Sequence, residues 1–127
     1  MKKIIQTNNA PAPIGPYSQA VLAGNTLYTS GQIAIDSESG ELILSSIDAE
    51  TKKVMQNMQA VLQAAGMDFE NVVKSTIFLS SMKHFNAVNE VYSSYFDELA
   101  APARETVEVS ELPKKVNVEI SMIAIKA

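Results

Sequence analysis

One side chain capable of geometric recognition is used only once in this chain. Nine of its ten basic residues are lysine; the tenth is Arg104, in Pro102-Ala103-Arg104-Glu105-Thr106-Val107. A planar guanidinium gives a carboxylate two parallel N–H bonds, which the point charge of an ammonium cannot do. Arg104 therefore marks a candidate site for a small acid, with a surface position or a structural ion pair as the alternative. Other chemistries lack their residues. Zero cysteines remove thiol nucleophiles, disulfides and sulfur-bound metals, and the lone His84 excludes any centre needing two histidines. A carboxylate-bound Mg²⁺ is the metal option left, and no motif points to it. The serine-rich segments include no Gly-x-Ser-x-Gly elbow and no phosphate loop.

At 127 residues, 46% of them hydrophobic and 19% charged, the chain reads as one globular domain spanning residues 1–127. Net charge is −4 and no lysine run exceeds two residues, so nucleic acid is a poor partner. No apolar run is long enough for a bilayer and the start turns polar too soon for a signal peptide, so a cytoplasmic location without membrane partners is expected.

Around the arginine the pattern is α+β. Gly24-Asn25 suits a two-residue hairpin between Ser18–Ala23 and Thr26–Ser30. Asp36-Ser37-Glu38-Ser39-Gly40 is a second turn, between Gln32–Ile35 and Leu42–Leu44. Apolar residues at helical spacing (Thr51 by its methyl, Val54, Met58, Val61, Leu62, Ala65) predict a helix from about Asp48 to Ala65, stopped by Gly66. Val72–Leu79 reads as a strand. Ser81 then caps a second helix with the stripe Phe85, Val88, Tyr92, Tyr95, Phe96 and Leu99, ended by Pro102. Ala103–Val109 and Val116–Ile125 are the last two strands, around Leu112-Pro113-Lys114-Lys115. Two helices are expected to cover one face of one mostly antiparallel sheet.

Alternation assigns faces to the last strand: Val116, Val118, Ile120, Met122 and Ala124 inward under the helices, and Asn117, Glu119, Ser121, Ile123 and Ile125 on the other side. If the final two strands form an antiparallel pair, apolar matching sets Val107 against Val118. Arg104 then lies opposite Ser121 and diagonal to Glu119, about 7–8 Å away on the helix-free face. A small acid could sit near both; a cross-strand salt bridge is the simpler alternative. Ile123 and Ile125 on that face call for a covering second copy, which makes the site an intersubunit cleft.

Five blocks carry a family resemblance: Ile14-Gly15-Pro16-Tyr17-Ser18-Gln19-Ala20, Thr29-Ser30-Gly31-Gln32-Ile33, Val88-Asn89-Glu90-Val91-Tyr92, Pro102-Ala103-Arg104, and Leu112-Pro113 followed by Val118-Glu119-Ile120. Together they resemble the RidA (YjgF) family of enamine/imine deaminases. The resemblance implies a chorismate-mutase-like α+β fold assembled as a homotrimer, with helices outside and three clefts between subunits. It implies cofactor-free hydrolysis of 2-aminoacrylate and 2-aminocrotonate, as imine tautomers, to 2-keto acids and ammonia. It also implies a functional link to the pyridoxal-phosphate dehydratases that generate such intermediates.

Carried over residue by residue, Arg104 clamps the substrate carboxylate, Glu119 positions and activates water, and Tyr17 closes the site. Ser30 and the Gly31 backbone line the cleft, the Thr106 backbone contacts ligand, and Asn89 and Phe85 approach it from the second helix. Tyr17 has an alternative role as an apolar plug, Thr106 as a cross-strand partner and Phe85 as core. Glu105 replaces a small hydroxyl residue common after the arginine, and Ser121 stands where many relatives have a second acid. A non-catalytic 2-keto-acid sensor using the same cleft is the alternative function; an endoribonuclease, a name also attached to relatives, is opposed by the acidic charge.

Overall fold

Helix α1 spans Ile47–Ala64, within a residue of its sequence expectation at each end. Ser46 caps it by accepting from the Ala49 N–H at 3.0 Å, and Gly66 turns the chain away at a φ of 72°. Its inward stripe, Val54, Met55, Met58, Val61 and Leu62, is wholly buried. Each such side chain contributes roughly 1.5–3 kcal/mol of burial. The computed structural model describes all 127 residues.

Six strands form one mixed sheet: β1 (Lys2–Ile5), β2 (Ala20–Ala23), β3 (Thr26–Thr29), β4 (Val72–Leu79), β5 (Ala103–Glu108) and β6 (Val118–Ile125), in the spatial order β1-β2-β3-β6-β4-β5. The β2–β3 hairpin turns at Gly24, whose φ is 60°, while Asn25 keeps an ordinary negative φ, so only the glycine meets the demand for positive φ. Asp36–Gly40 is a turn, as expected, but the segments beside it make only single bridges, Gln32 to Ile120 and Ile35 to Leu42. On β6 the alternation holds: Val118, Ile120, Met122 and Ala124 are buried toward the helices, and Glu119, Ser121 and Ile123 are half-buried on the other side.

Two expectations fail. The second helix, α2, runs only from Phe85 to Ser93, after a 3-10 turn over Met82–His84 that Ser81 caps. The Ser94 hydroxyl donates back to the Val91 carbonyl, the acceptor that Tyr95 would need in a longer helix, and the Ser93 hydroxyl donates to that of Asn89. Tyr95 and Phe96 still reach the core, edge-on to Phe69 with ring centroids 5.2 and 5.4 Å away, but Leu99 is 97% exposed.

The second failure concerns the last two strands, which do not pair. β5 runs parallel to β4 at the sheet edge, and β6 lies antiparallel on the other side of β4. Between them the chain crosses the end of β4, where Val109 donates to the Leu79 carbonyl and Ser80 donates to that of Asn117. Val107 lies beside Phe78, not Val118; Arg104 aligns with Ser75, and Glu119 with Phe78. Ser75 and Phe78 are three residues apart on one strand and so face opposite ways. Arg104 is therefore on the helix side, and Glu119 is on the open side.

That open side carries an apolar row across β1, β2, β3 and β6. Ile4, Val21, Tyr28 and Ile123 lie in one cross-strand row, and Phe78 and Val107 form a separate apolar pair on the same face, divided from it by Lys74, Thr76, Glu105 and Ser121. Ile4 and Tyr28 are each 50% exposed and Val107 is 43% exposed.

Candidate active site

The carried-over residues fall into two groups. The first gathers around Glu119. Beyond β3 the chain bulges: Thr29, Ser30 and Gly31 stand against only Ser121 and Met122 before Gln32 rejoins the ladder at Ile120. The bulge presses Gly31 onto the acid. A Cβ on Gly31 would lie 2.6 Å from Glu119 Oε2 and 2.7 Å from its Cδ, so any other residue there must push the Glu119 side chain aside. The Gly31 N–H donates to no group in the protein, while the Ser30 hydroxyl donates to the Ser18 carbonyl.

Glu119, Gly31, Ser30 and Tyr17 line one cavity of about 400 Å³, with Pro113 and Lys114 from the β5–β6 connection and Ile14, Ile33 and Ile35 among its apolar walls. Burial pushes the Glu119 carboxyl above its ordinary pKa. Tyr17 is 53% exposed, and its hydroxyl accepts from the Ile14 N–H at 3.3 Å. Gln19 holds the wall from behind: its amide nitrogen donates to the carbonyls of Thr7, Ala10 and Pro11, and its oxygen accepts from the Thr7 N–H.

The second group gathers around Arg104, whose Nη1 donates to Asn89 Oδ1 at 2.8 Å. Its guanidinium carbon stacks 5.1 Å from the Tyr92 ring centre and 5.7 Å from that of Phe85. Tyr92 is anchored in turn by donating to the buried Ser75 hydroxyl at 2.8 Å. No carboxylate pairs with Arg104; the ion pairs of the protein are Lys53–Asp36 and Lys74–Glu105. Most of its five donors therefore remain free within a fixed plane. Thr106, two residues along the same strand face, holds a buried hydroxyl without a hydrogen-bond partner.

Arg104 and Glu119 do not meet within one chain, contrary to the antiparallel register the sequence implies. Asn89 and Phe85 touch the arginine, while Tyr17, Ser30 and Gly31 join the acid. Glu105 points away from Arg104, as alternation requires, and binds Thr76 and Lys74 on the open face. Ser121, on the open face beside Thr76, does not neighbour Arg104 as the expected register required. Sequence reasoning passed over Gln19 and Lys114. Gln19 had a visible signal, a long amide inside an apolar strand start; Lys114 had none, because its place depends on a turn.

The sequence model of the family described as Endoribonuclease L-PSP matches residues 7–126. A RutC family protein of Pyrococcus horikoshii is 51% identical over 126 residues, covering 99% of each chain. The human protein named 2-iminobutanoate/2-iminopropanoate deaminase is 46% identical, covering 99% of this chain and 91% of its own. Among solved structures, a Yersinia pestis protein of the conserved Rid family superposes with a TM-score of 0.96 at 45% identity, over 99% of this chain and all of the other. Likeness of this extent agrees with the five sequence blocks, and the chain belongs to the RidA (YjgF) family.

Proposed function

We propose that this protein hydrolyses 2-imino acids, the tautomers of 2-aminoacrylate and 2-aminocrotonate, to 2-keto acids and ammonia without a cofactor, in clefts between copies of a homotrimer. The observation that carries this reading is an unpaired guanidinium locked by Asn89, Tyr92 and Phe85, together with a half-buried acid whose pKa is raised. They lie on opposite faces of one sheet, so a shared cleft takes one from each of two copies. The apolar row on the open face supports such packing, since exposed apolar patches of this kind mark association surfaces. Full-length relatives named for the reaction support the chemistry.

Arg104 grips the substrate carboxylate through two N–H groups and so orients C2 of the imine. Charge-assisted bonds of this kind contribute about 1.5–3 kcal/mol each. Ionised Glu119 takes a proton from water as its oxygen attacks C2, giving a tetrahedral carbinolamine. The same carboxyl delivers that proton to nitrogen, and then relays the carbinolamine hydroxyl proton to the same nitrogen as the C–N bond breaks, ammonia leaves and the C=O forms. One group serves as base and then acid most effectively when its pKa approaches the working pH, the direction in which burial moves Glu119. Tyr17 and the free Gly31 N–H border the reacting centre in this arrangement.

The test is ammonia release from 2-aminoacrylate generated in situ. Arg104→Ala and Glu119→Gln are each expected to remove most of the acceleration. Refolded together in equal amounts, they should recover about a quarter of the wild-type rate, since random mixing leaves that share of seams with both groups intact. Wild type that binds 2-keto acids without accelerating hydrolysis overturns the reaction and supports the sensor. No recovery on mixing overturns the two-copy cleft. The endoribonuclease reading, favoured by the family model's description, predicts RNA cleavage by wild type that Arg104→Ala abolishes.

A further inference from the structure

One lysine among the residues lining the cavity around Glu119 is left unused by the proposed reaction. Lys114 lines it, and belongs to neither ion pair of the protein. Its backbone is unusual: Lys114 and Lys115, at φ 55° and 57°, are the only non-glycine residues with positive φ. A Cβ makes this left-handed region unfavourable, so the surroundings must impose it. The loop is indeed fastened at both ends. Leu112 and Val116 are buried, and the carboxylate of fully buried Glu50 accepts from the N–H groups of Asn117 and Val118 and from the Asn117 amide. Strain that the fold maintains beside a candidate site is a pointer to function.

The cavity in one copy, about 400 Å³ and open to the side where the proposed second copy packs, falls within the range of ligand pockets. With Arg104 taking the carboxylate next to the reacting carbon and Glu119 serving the water, a second anion on the ligand would find exposed Lys114 as the one lysine among the lining residues.

We propose that Lys114 is a specificity residue that favours 2-imino acids, and their 2-keto acid products, whose side chain ends in a carboxylate. The proposal rests on the cleft reading above and names a substrate class for it.

Calorimetric titration with 2-oxoglutarate and with 2-oxobutanoate at low ionic strength tests it without requiring turnover. Wild type should prefer 2-oxoglutarate, and Lys114→Met should lower the ratio of the two affinities about fivefold, the change that roughly 1 kcal/mol of an accessible ion pair produces. Lys115→Met, with the same charge change outside the cavity lining, should leave the ratio intact. A ratio unchanged by Lys114→Met, or lowered equally by Lys115→Met, overturns the assignment while sparing the cleft. Binding of neither acid by wild type overturns the cleft reading and this assignment with it.

Discussion

Gly31→Ala separates the proposed chemistry from the stability of the fold. The added methyl would sit 2.6 Å from Glu119 Oε2, 2.7 Å from Cδ and 2.9 Å from Cγ. Ordinary contact needs roughly 3.5–4.0 Å, so the carboxylate must retreat by about 1 Å. It is the end of a flexible side chain beside an open cavity, so the cost to folding falls near the lower end of the roughly 1–3 kcal/mol typical of overpacking. In a chain of this length about 1 kcal/mol lowers Tm by about 3–6 °C. A reacting group displaced by about 1 Å, however, can lose about a hundredfold in rate. Gly31→Ala is therefore expected to unfold cooperatively a few degrees below wild type while kcat/KM for imine hydrolysis falls about a hundredfold. Thermal unfolding and coupled ammonia release, measured on one preparation, check both. Wild-type activity in a folded Gly31→Ala protein would refute the placement of Glu119 at the reacting water.

Asn89→Ala removes one hydrogen bond that fixes the guanidinium, so KM should rise about three- to tenfold with a smaller change in kcat. Asn89→Asp should raise KM further, because its carboxylate competes for the same fork. Glu50→Ala leaves the buried Val118 N–H, the half-buried Asn117 N–H and the Asn117 amide without an acceptor; a loss of about 3 kcal/mol should appear as a lower urea midpoint with unchanged slope. Glu119 has two pH signatures. Its raised pKa places the acid limb of activity above the ordinary carboxylate range, and Glu119→Gln should abolish that limb with the activity. For stability the folded state holds this proton more tightly than the unfolded chain, so the contribution is full at low pH and lost as pH rises through the raised pKa. Glu119→Gln should flatten that slope in urea titrations.

Period and punctuation made much of this fold legible. β4 occupies the predicted Val72–Leu79, and α1 follows its 3.6-residue stripe between a serine cap and Gly66. Alternation also assigned the faces of β6 correctly, since each of its side chains samples a single environment. What alternation cannot supply is the neighbour. Val107 needed an apolar partner, and both Val118 and Phe78 could serve; the crossover through α2 gave it Phe78. Because the open face also offers an apolar partner at Phe78, matching hydrophobic residues could not reveal the error. The identities of Arg104, Glu119 and Gly31 were readable, but their distribution over two faces was not, because it depends on which strand separates β5 from β6.

The position of β6 has a consequence for how the molecule is made. It is the last strand in chain order, yet it lies between β3 and β4, and those two strands share no ladder of their own. Until it arrives, a growing chain holds the hairpin half and the crossover half as unjoined sheets with open edges, surfaces that invite wrong pairing. Closure of the core is thus deferred until synthesis has passed Ile125, and with it the ordering of Glu119, which rides on the strand that closes it.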